Sequence, residues 1–219
     1  MDRTVIDCAA PLKPLINLLK DGIIGYDIGA LDATSLQVLN EPGRPASRKS
    51  YAYYFRGGPP GKEAILYEYN AVDHKNFVND WFAGFKGTLH CDADPFFELL
   101  FEQSAVNPNH CNAHARRKFE PIARAAQGDG LCAFLNDGRL EIDNNLTEQE
   151  IKPFVMARKN FLFASSVNGA KALCLHFSLI RTAKHHGLDP KRYYVEGLRQ
   201  FLTVNPLRIM RHYYPGYPA

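Results

Sequence analysis

The alternation of apolar and polar positions divides the chain into a strand-rich first third and a helix-rich last third. Residues 1–21 place Leu12, Leu15, Ile16, Leu18 and Leu19 behind Pro11 at spacings that predict one short helix. Strand-like runs follow at 23–30, leading through 31–34 to 36–39, and then at 51–55 and 65–69. Aromatic and β-branched residues fill these runs, and a Pro/Gly/Arg loop over 41–49 and the segment GGPPG bound them. Successive strands on short loops predict an antiparallel meander. Residues 73–85 return to helical spacing, with Phe77, Val78, Trp81, Phe82 and Phe85 on one side. Residues 87–91 read as a short strand ending at Asp92, and Asp94-Pro95 reads as a helix start with Asp94 as its cap.

The chemistry concentrates in residues 138–160, GRLEIDNNLTEQEIKPFVMARKN. Asn145 and Glu148 fit the N-cap and N3 positions of a helix. Leu146, Ile151, Phe154 and Val155 are then available for burial, and Pro153 is expected to kink or end the helix. Glu148 has two readings. A carboxylate on a first helical turn is well placed to point into a cleft; equally, it completes a capping box and stands four residues before Lys152 in the favourable order for an ion pair. Beyond it, 161–165 reads as a short strand or turn. Residues 168–186 read as a long apolar helix through Leu173, Leu175, Phe177, Leu179 and Ile180, stopped by Gly187. Asp189-Pro190 opens another helix to about residue 202, before a Pro- and Tyr-rich tail. His176, His185 and His186 read as core or surface positions.

With 219 residues, 46% of them hydrophobic, the chain can bury a sizeable core. A net charge of +3 permits nucleic-acid binding without arguing for it. Cys8, Cys91, Cys111, Cys132 and Cys174 are dispersed and odd in number, the usage of reduced thiols rather than a disulfide framework. Nothing reads as an export signal or a membrane span, so a cytoplasmic location is expected.

Residues 137–190, DGRLEIDNNLTEQEIKPFVMARKNFLFASSVNGAKALCLHFSLIRTAKHHGLDP, resemble the C-terminal catalytic block of bacterial insertion sequence 66 family transposases. The features that carry the resemblance are the acid-bracketed DNN, the following Glu, the RKN–aromatic run and the GA-led helix ending near GLDP. HCNAHARRKF at 110–119 resembles a second family segment, with Asn112 where an aromatic is usual. The likeness runs over 1–202 with an interruption at 119–131, where the family's helical insertion is expected to be shortened. The upstream helix-turn-helix and zinc-binding segments usual in the family are expected to be missing. Ala93-Asp94 stands where Gly-Tyr is usual, and Gln149 where an Arg commonly follows the third acid.

The resemblance implies an α/β fold, a ribonuclease-H-like (retroviral-integrase-like) mixed sheet flanked by helices, with C-terminal helices. It implies a leading helix over 1–21, a catalytic domain over 22–186, and a C-terminal helix and loose tail over 187–219. It places the three acids of a DDE site on Asp32 (in LDATSLQVL), Asp92 and Glu148. These would hold two Mg²⁺ or Mn²⁺ ions for phosphodiester cleavage and strand transfer, since such hard ions prefer oxygen ligands. Arg116, Arg117, Lys118, Lys152, Arg158 and Lys159 would face DNA phosphates. The partners implied are double-stranded DNA, at insertion-sequence ends and target, and further copies of the chain, in association with the bacterial nucleoid. A different outcome of the same ancestry is an inactive remnant that only binds DNA or partner subunits. A zinc site on His110, Cys111 and His114 is a third reading, since His-x3-His can set two imidazoles on one helical face.

Overall fold

The computed structural model describes residues 3–71, 74–92, 97, 100–101, 106–111 and 133–203. Their elements are α1 (Arg3–Asp7), a 3₁₀ turn (Ala10–Leu12), α2 (Lys13–Ile24), β1 (Ile28–Asn40), β2 (Lys49–Gly57), β3 (Ala64–Asn70) and α3 (His74–Trp81). There follow β4 (Gly87–Cys91), β5 (Val106–His110), α4 (Asn145–Phe161), β6 (Ala164–Ser166), α5 (Val167–His185) and α6 (Pro190–Thr203). Asp94, Arg116, Arg117, Lys118, His114 and the interruption at 119–131 lie outside the described residues, and with them part of the zinc reading and half of the basic set.

The sheet is mixed, in the order β3-β2-β1-β4-β5. The first three strands form the expected antiparallel meander, with Asp32 opposite Tyr54 and Tyr54 opposite Tyr67. β4 and β5 then continue the sheet in parallel. β1 is thirteen residues long and changes partner along one edge: residues 28–30 pair with β4, while Val38 and Asn40 pair with β6. Among the described residues, no further strand pairs with β1 between those two partners, and the carboxyl end of β4, the end at which parallel sheets commonly admit ligands, lies beside this stretch.

β1, β2 and β3 bury both faces. On one, Leu31, Tyr53, Phe55 and Leu89 meet α2 and α3, with Phe55 stacked on Trp81 at 3.7 Å between ring centroids. On the other, Leu36, Tyr54, Ile65 and Tyr67 meet Ile151 and Phe154 of α4 and Leu173 and Cys174 of α5. α5 touches both clusters because it runs along the outer edge of β3. Its Ser178 and Thr182 hydroxyls accept from the backbone N–H groups of Tyr67 and Ile65 at 2.7 and 3.0 Å, covering an edge that would otherwise be unpaired. Ser166 caps α5 by accepting from Gly169 N, and Gly187, at φ 67°, closes it. Gly187 N and Leu188 N donate back to Lys184 O and Ala183 O, a Schellman arrangement.

Several expectations need correction. The leading segment is not one helix: Pro11 and Pro14 sit at the starts of two successive helical pieces, and the second runs to Ile24, so Ile23 is helical and buried. The first strand begins at Ile28 and does not break at 35, because β2 pairs with it from Gly29 to Gln37. Pro153 does not end α4, which continues to Phe161. Asn145 is not the N-cap. Asn144 holds that position, and its carbonyl accepts the first helical bond from Glu148 N at 2.8 Å. The side chain that shapes the turn is Asp143, which accepts from Asn145 N at 3.0 Å and from Asn145 Nδ2 at 2.6 Å. Leu146 is exposed, and Thr147, Ile151 and Phe154 form the buried stripe instead. β6 resolves the strand-or-turn alternative at 161–165 as a three-residue strand, offset toward the C-terminus.

Candidate active site

Parallel pairing brings two of the expected acids to one level. β1 and β4 pair Ile28 with Thr88, Gly29 with Leu89 and Ala30 with His90. Two residues further along each strand stand Asp32 and Asp92. Side chains alternate across a sheet, so both acids share the face of Ala30 and His90. Leu31, Leu89 and Cys91 point to the opposite face, into the core against α2 and α3. Gly87 permits this register: a Cβ there would lie 2.0 Å from Asp27 O, the carbonyl that accepts from Thr88 N.

α4 brings the third acid. Thr147, Ile151 and Phe154 fix its inner face, and Tyr67 Oη donates to Glu150 O at 2.6 Å. At its far end, Arg158 Nη1 donates to Thr34 Oγ1 at 3.1 Å, to Ser35 Oγ at 2.9 Å and to Ser35 O, tying α4 to the middle of β1. Glu148, one residue after Thr147, is partly buried, as are Asp32 and Asp92.

The electrostatics show how near the three come. The Asp32 carboxyl is pushed up to about 7: burial contributes most, a hydrogen bond from Ala33 N opposes it, and the negative charges of Asp92 and Glu148 raise it further. Asp92 and Glu148, both distant from Asp32 along the chain, thus act on it through space. They repel without chelating: among the described residues, no three His, Cys, Asp or Glu side chains are gathered closely enough to hold an ion. As a donor set the three acids are all oxygen, the choice of hard divalent cations.

Beside the acids lies a buried polar layer that sequence reasoning missed. Asn109 Nδ2 donates to His90 Nδ1 at 2.7 Å and to Glu141 O at 3.0 Å, and the Glu141 carboxylate pairs with Arg56. With both Asn109 protons so used, His90 Nδ1 is the acceptor and its ring is neutral; burial accordingly lowers His90 to about 4. The signal available was the strand period, which puts His90 on the face of Asp92 and Arg56 on that of Tyr54. These four residues line a cavity of about 150 Å³ with Tyr26, Gly29 and Arg139 around it. At its rim Arg139 is held by Asp27 and Asp137, and each of those carboxyls is lowered by the guanidinium.

Of the basic residues, Lys152 and Lys159 are exposed on α4, whereas Arg158 is committed to β1. Cys8, Cys91, Cys111 and Cys174 are free thiols, as expected for four of the five. No helix among the described residues is long and apolar enough to cross a membrane.

A mixed sheet flanked by helices, with two aspartates at one level where a parallel pair of strands ends, defines the chain as an α/β protein. The family profile described as "Transposase IS66 family" matches residues 1–129 and 122–172, and the chain belongs to that family. The two matched segments meet inside the stretch where a shortened insertion is expected. The chain is also similar to three proteins of Sinorhizobium fredii (strain NBRC 101917 / NGR234), each named only as uncharacterized. It is 36% identical to y4jD over 89 residues, which cover 39% of this chain and 17% of that protein. For y4qI the identity is 41% over 75 residues, 34% of this chain and 13% of the relative. For y4hP it is 31% over 70 residues, 32% of this chain and 13% of the relative. The matched stretches span less than a fifth of those relatives' length.

Proposed function

We propose that this chain carries the catalytic core of a DNA transposase of the DDE type, on a ribonuclease-H-like sheet, with Asp32, Asp92 and Glu148 as its acids. The observation that supports this most directly is the Asp32 carboxyl: burial raises it most, and the negative charges of Asp92 and Glu148 raise it further. Family membership supplies the reaction class. A pair of Mg²⁺ or Mn²⁺ ions, when bound, would supply Lewis acidity for in-line attack on a DNA phosphodiester. The protein's part is to hold Asp32 and Asp92 at the ends of neighbouring strands and to present Glu148 from the first turn of α4. It must also keep Asp32 ionised, which a cation makes favourable at neutral pH. The exposed Lys152 and Lys159 stand on the same helix as Glu148 and suit phosphate contacts, together with Arg116, Arg117 and Lys118; Arg158 would act through β1. Double-stranded DNA and further copies of the chain are the partners this reading implies, in the bacterial nucleoid.

A second reading, a remnant that binds DNA or partner subunits without cleaving, is favoured by the spacing of the acids, which among the described residues does not amount to a chelating set. Titration of the protein with Mn²⁺ by calorimetry, alongside a supercoiled-plasmid nicking assay, separates the two. Saturable Mn²⁺ uptake and nicking that Asp32→Asn, Asp92→Asn and Glu148→Gln each abolish support the transposase core. Uptake and nicking indifferent to all three substitutions would sink it.

A further inference from the structure

The stretch from Asp137 to Asn144 is irregular, yet it decides where α4 begins and so where Glu148 stands. Three side chains from the sheet hold it. Arg56 of β2 pairs with the Glu141 carboxylate. Asn109 of β5, fully buried, donates to Glu141 O at 3.0 Å while its other amide proton goes to His90 of β4. Cys111, just beyond β5, accepts from Asn144 N at 2.9 Å through its buried Sγ. Asn144 O in turn accepts from Glu148 N, so the last tie is one hydrogen bond away from the third acid's own backbone.

Asp92 and Glu148 both disfavour the ionised form of Asp32, adding to the larger effect of its burial, so the spacing of the three depends on where α4 begins. Ile151 and Phe154 hold α4 further along, Thr147 is buried in its first turn, and the polar ties fix the stretch just before it. Nor is this layer arranged for stability alone. His90 Nε2, Asn109 Oδ1, Arg56 Nε and Glu141 Oε2 are buried without a protein hydrogen-bond partner. A half-satisfied buried network is a poor source of stability compared with apolar packing. What it supplies is a fixed location.

We propose that Asn109 and Arg56 are positioning residues, which with Cys111 pin the stretch before α4 and thereby set Glu148 against Asp32 and Asp92. The proposal rests on the three-acid reading above, and its test separates the two. Asn109→Asp keeps shape and volume but replaces two donors with acceptors facing His90 Nδ1 and Glu141 O. Amide hydrogen exchange and Mn²⁺ titration are measured on the full chain, for wild type, Asn109→Asp, Arg56→Lys and Arg56→Met. Exchange over residues 142–148 is expected to quicken about tenfold or more in Asn109→Asp, with α5 unchanged, a local opening rather than a global one. The Mn²⁺ concentration for half-saturation is expected to rise about tenfold, and Arg56→Lys is expected to stay nearer wild type than Arg56→Met in both readouts. Wild-type exchange over 142–148 in a folded Asn109→Asp overturns the proposal, and so does quickened exchange with unaltered Mn²⁺ uptake. If Asn109→Asp does not fold, equal behaviour of the two Arg56 variants overturns it. If wild type takes up no Mn²⁺, the three-acid reading falls, and the exchange data alone decide whether the stretch is pinned.

Discussion

Asp32 and Asp92 stand at the same level of two adjacent parallel strands, on the same face, where the strands' shared hydrogen bonding has just ended. The level follows from the Ala30–His90 pairing, and the face from the two-residue period. Among the described residues, β1 pairs with β4 over 28–30 and with β6 at Val38 and Asn40, and Asp32 lies between these two pairings. α4 packs against β1, with Glu148 in its first turn and Arg158 in its last, donating to Ser35 O.

If the charge of Asp92 helps to raise Asp32, removing it must let Asp32 fall. Asp92→Asn is expected to bring the Asp32 carboxyl down from about 7 toward the ordinary carboxylate range. Glu148→Gln should do the same to a smaller extent, since its contribution is the lesser. Burial remains, so neither variant restores the value of a free aspartate. Carboxyl carbon shifts followed by NMR through a pH titration in chelator measure this directly. A titration of Asp32 that ignores both substitutions would place the acids too far apart to share a site.

The same carboxyl sets a pH dependence of stability. A folded value of about 7 against 3.8 unfolded means that the folded state binds the extra proton between those limits. Stability contributed by the protonated acid is therefore present at low pH and lost as pH rises toward 7, then level above it. Asp32→Asn carries no such loss. Its advantage over wild type in metal-free buffer is expected to grow by about 2–3 kcal/mol between pH 5 and pH 8, from roughly two pKa units of ionisation at about 1.4 kcal/mol each. Denaturant melts at the two pH values check it, and saturating Mn²⁺ should shrink the advantage by stabilising wild type alone. An advantage that does not change with pH would mean Asp32 is ionised throughout.

Arg158 and Lys159 are neighbours with different work. Arg158 reaches three oxygens of Thr34 and Ser35, while Lys159 is exposed. Arg158→Met is expected to cost about 1–3 kcal/mol of stability by leaving partly buried acceptors unpaired. Lys159→Ala is expected to change stability by less than about 0.5 kcal/mol, and to weaken DNA binding with a shallower salt dependence if it meets a phosphate. Thermal melts and a salt series of DNA titrations distinguish them. A Lys159→Ala protein that loses stability as Arg158→Met does would remove the division.

The meander, β4 and α5 were legible because strand period, helical spacing and Gly or Pro punctuation agree there. Asp92 could be read as a strand-end acid from GTLHC alone. What stayed hidden depends on pairing between distant segments. The continuity of β1 past Ser35 comes from β2 lying along it, not from its own sequence. The N-terminal boundary of α4 moved by one residue because Asp143, rather than Asn145, satisfies the turn's donors. Asn109, in the unpromising run VNPNH, becomes a strand only on the sheet's edge, where Pro108 is tolerated. Its tie to Glu141 joins residues with no local relationship.

Ser178 and Thr182 carry a similar lesson, because polar residues in an apolar helix gave no hint that they cover a sheet edge. Thr182 Oγ1 accepts from Ile65 N at 3.0 Å and donates to Ile65 O at 2.9 Å, both buried. Thr182→Val keeps the shape and removes both bonds, leaving an amide and a carbonyl of β3 in apolar surroundings. The cost is expected to be about 1–3 kcal/mol, more than the change in side-chain volume can account for. The effect should also be local: the Ile65 amide should exchange far faster than that of Phe55 in the sheet interior, and Tyr67, still paired with Ser178, should be protected. Residue-resolved hydrogen exchange makes the comparison within one sample. If Ile65 keeps its wild-type protection in Thr182→Val, the edge is covered by packing alone and the hydroxyl is incidental.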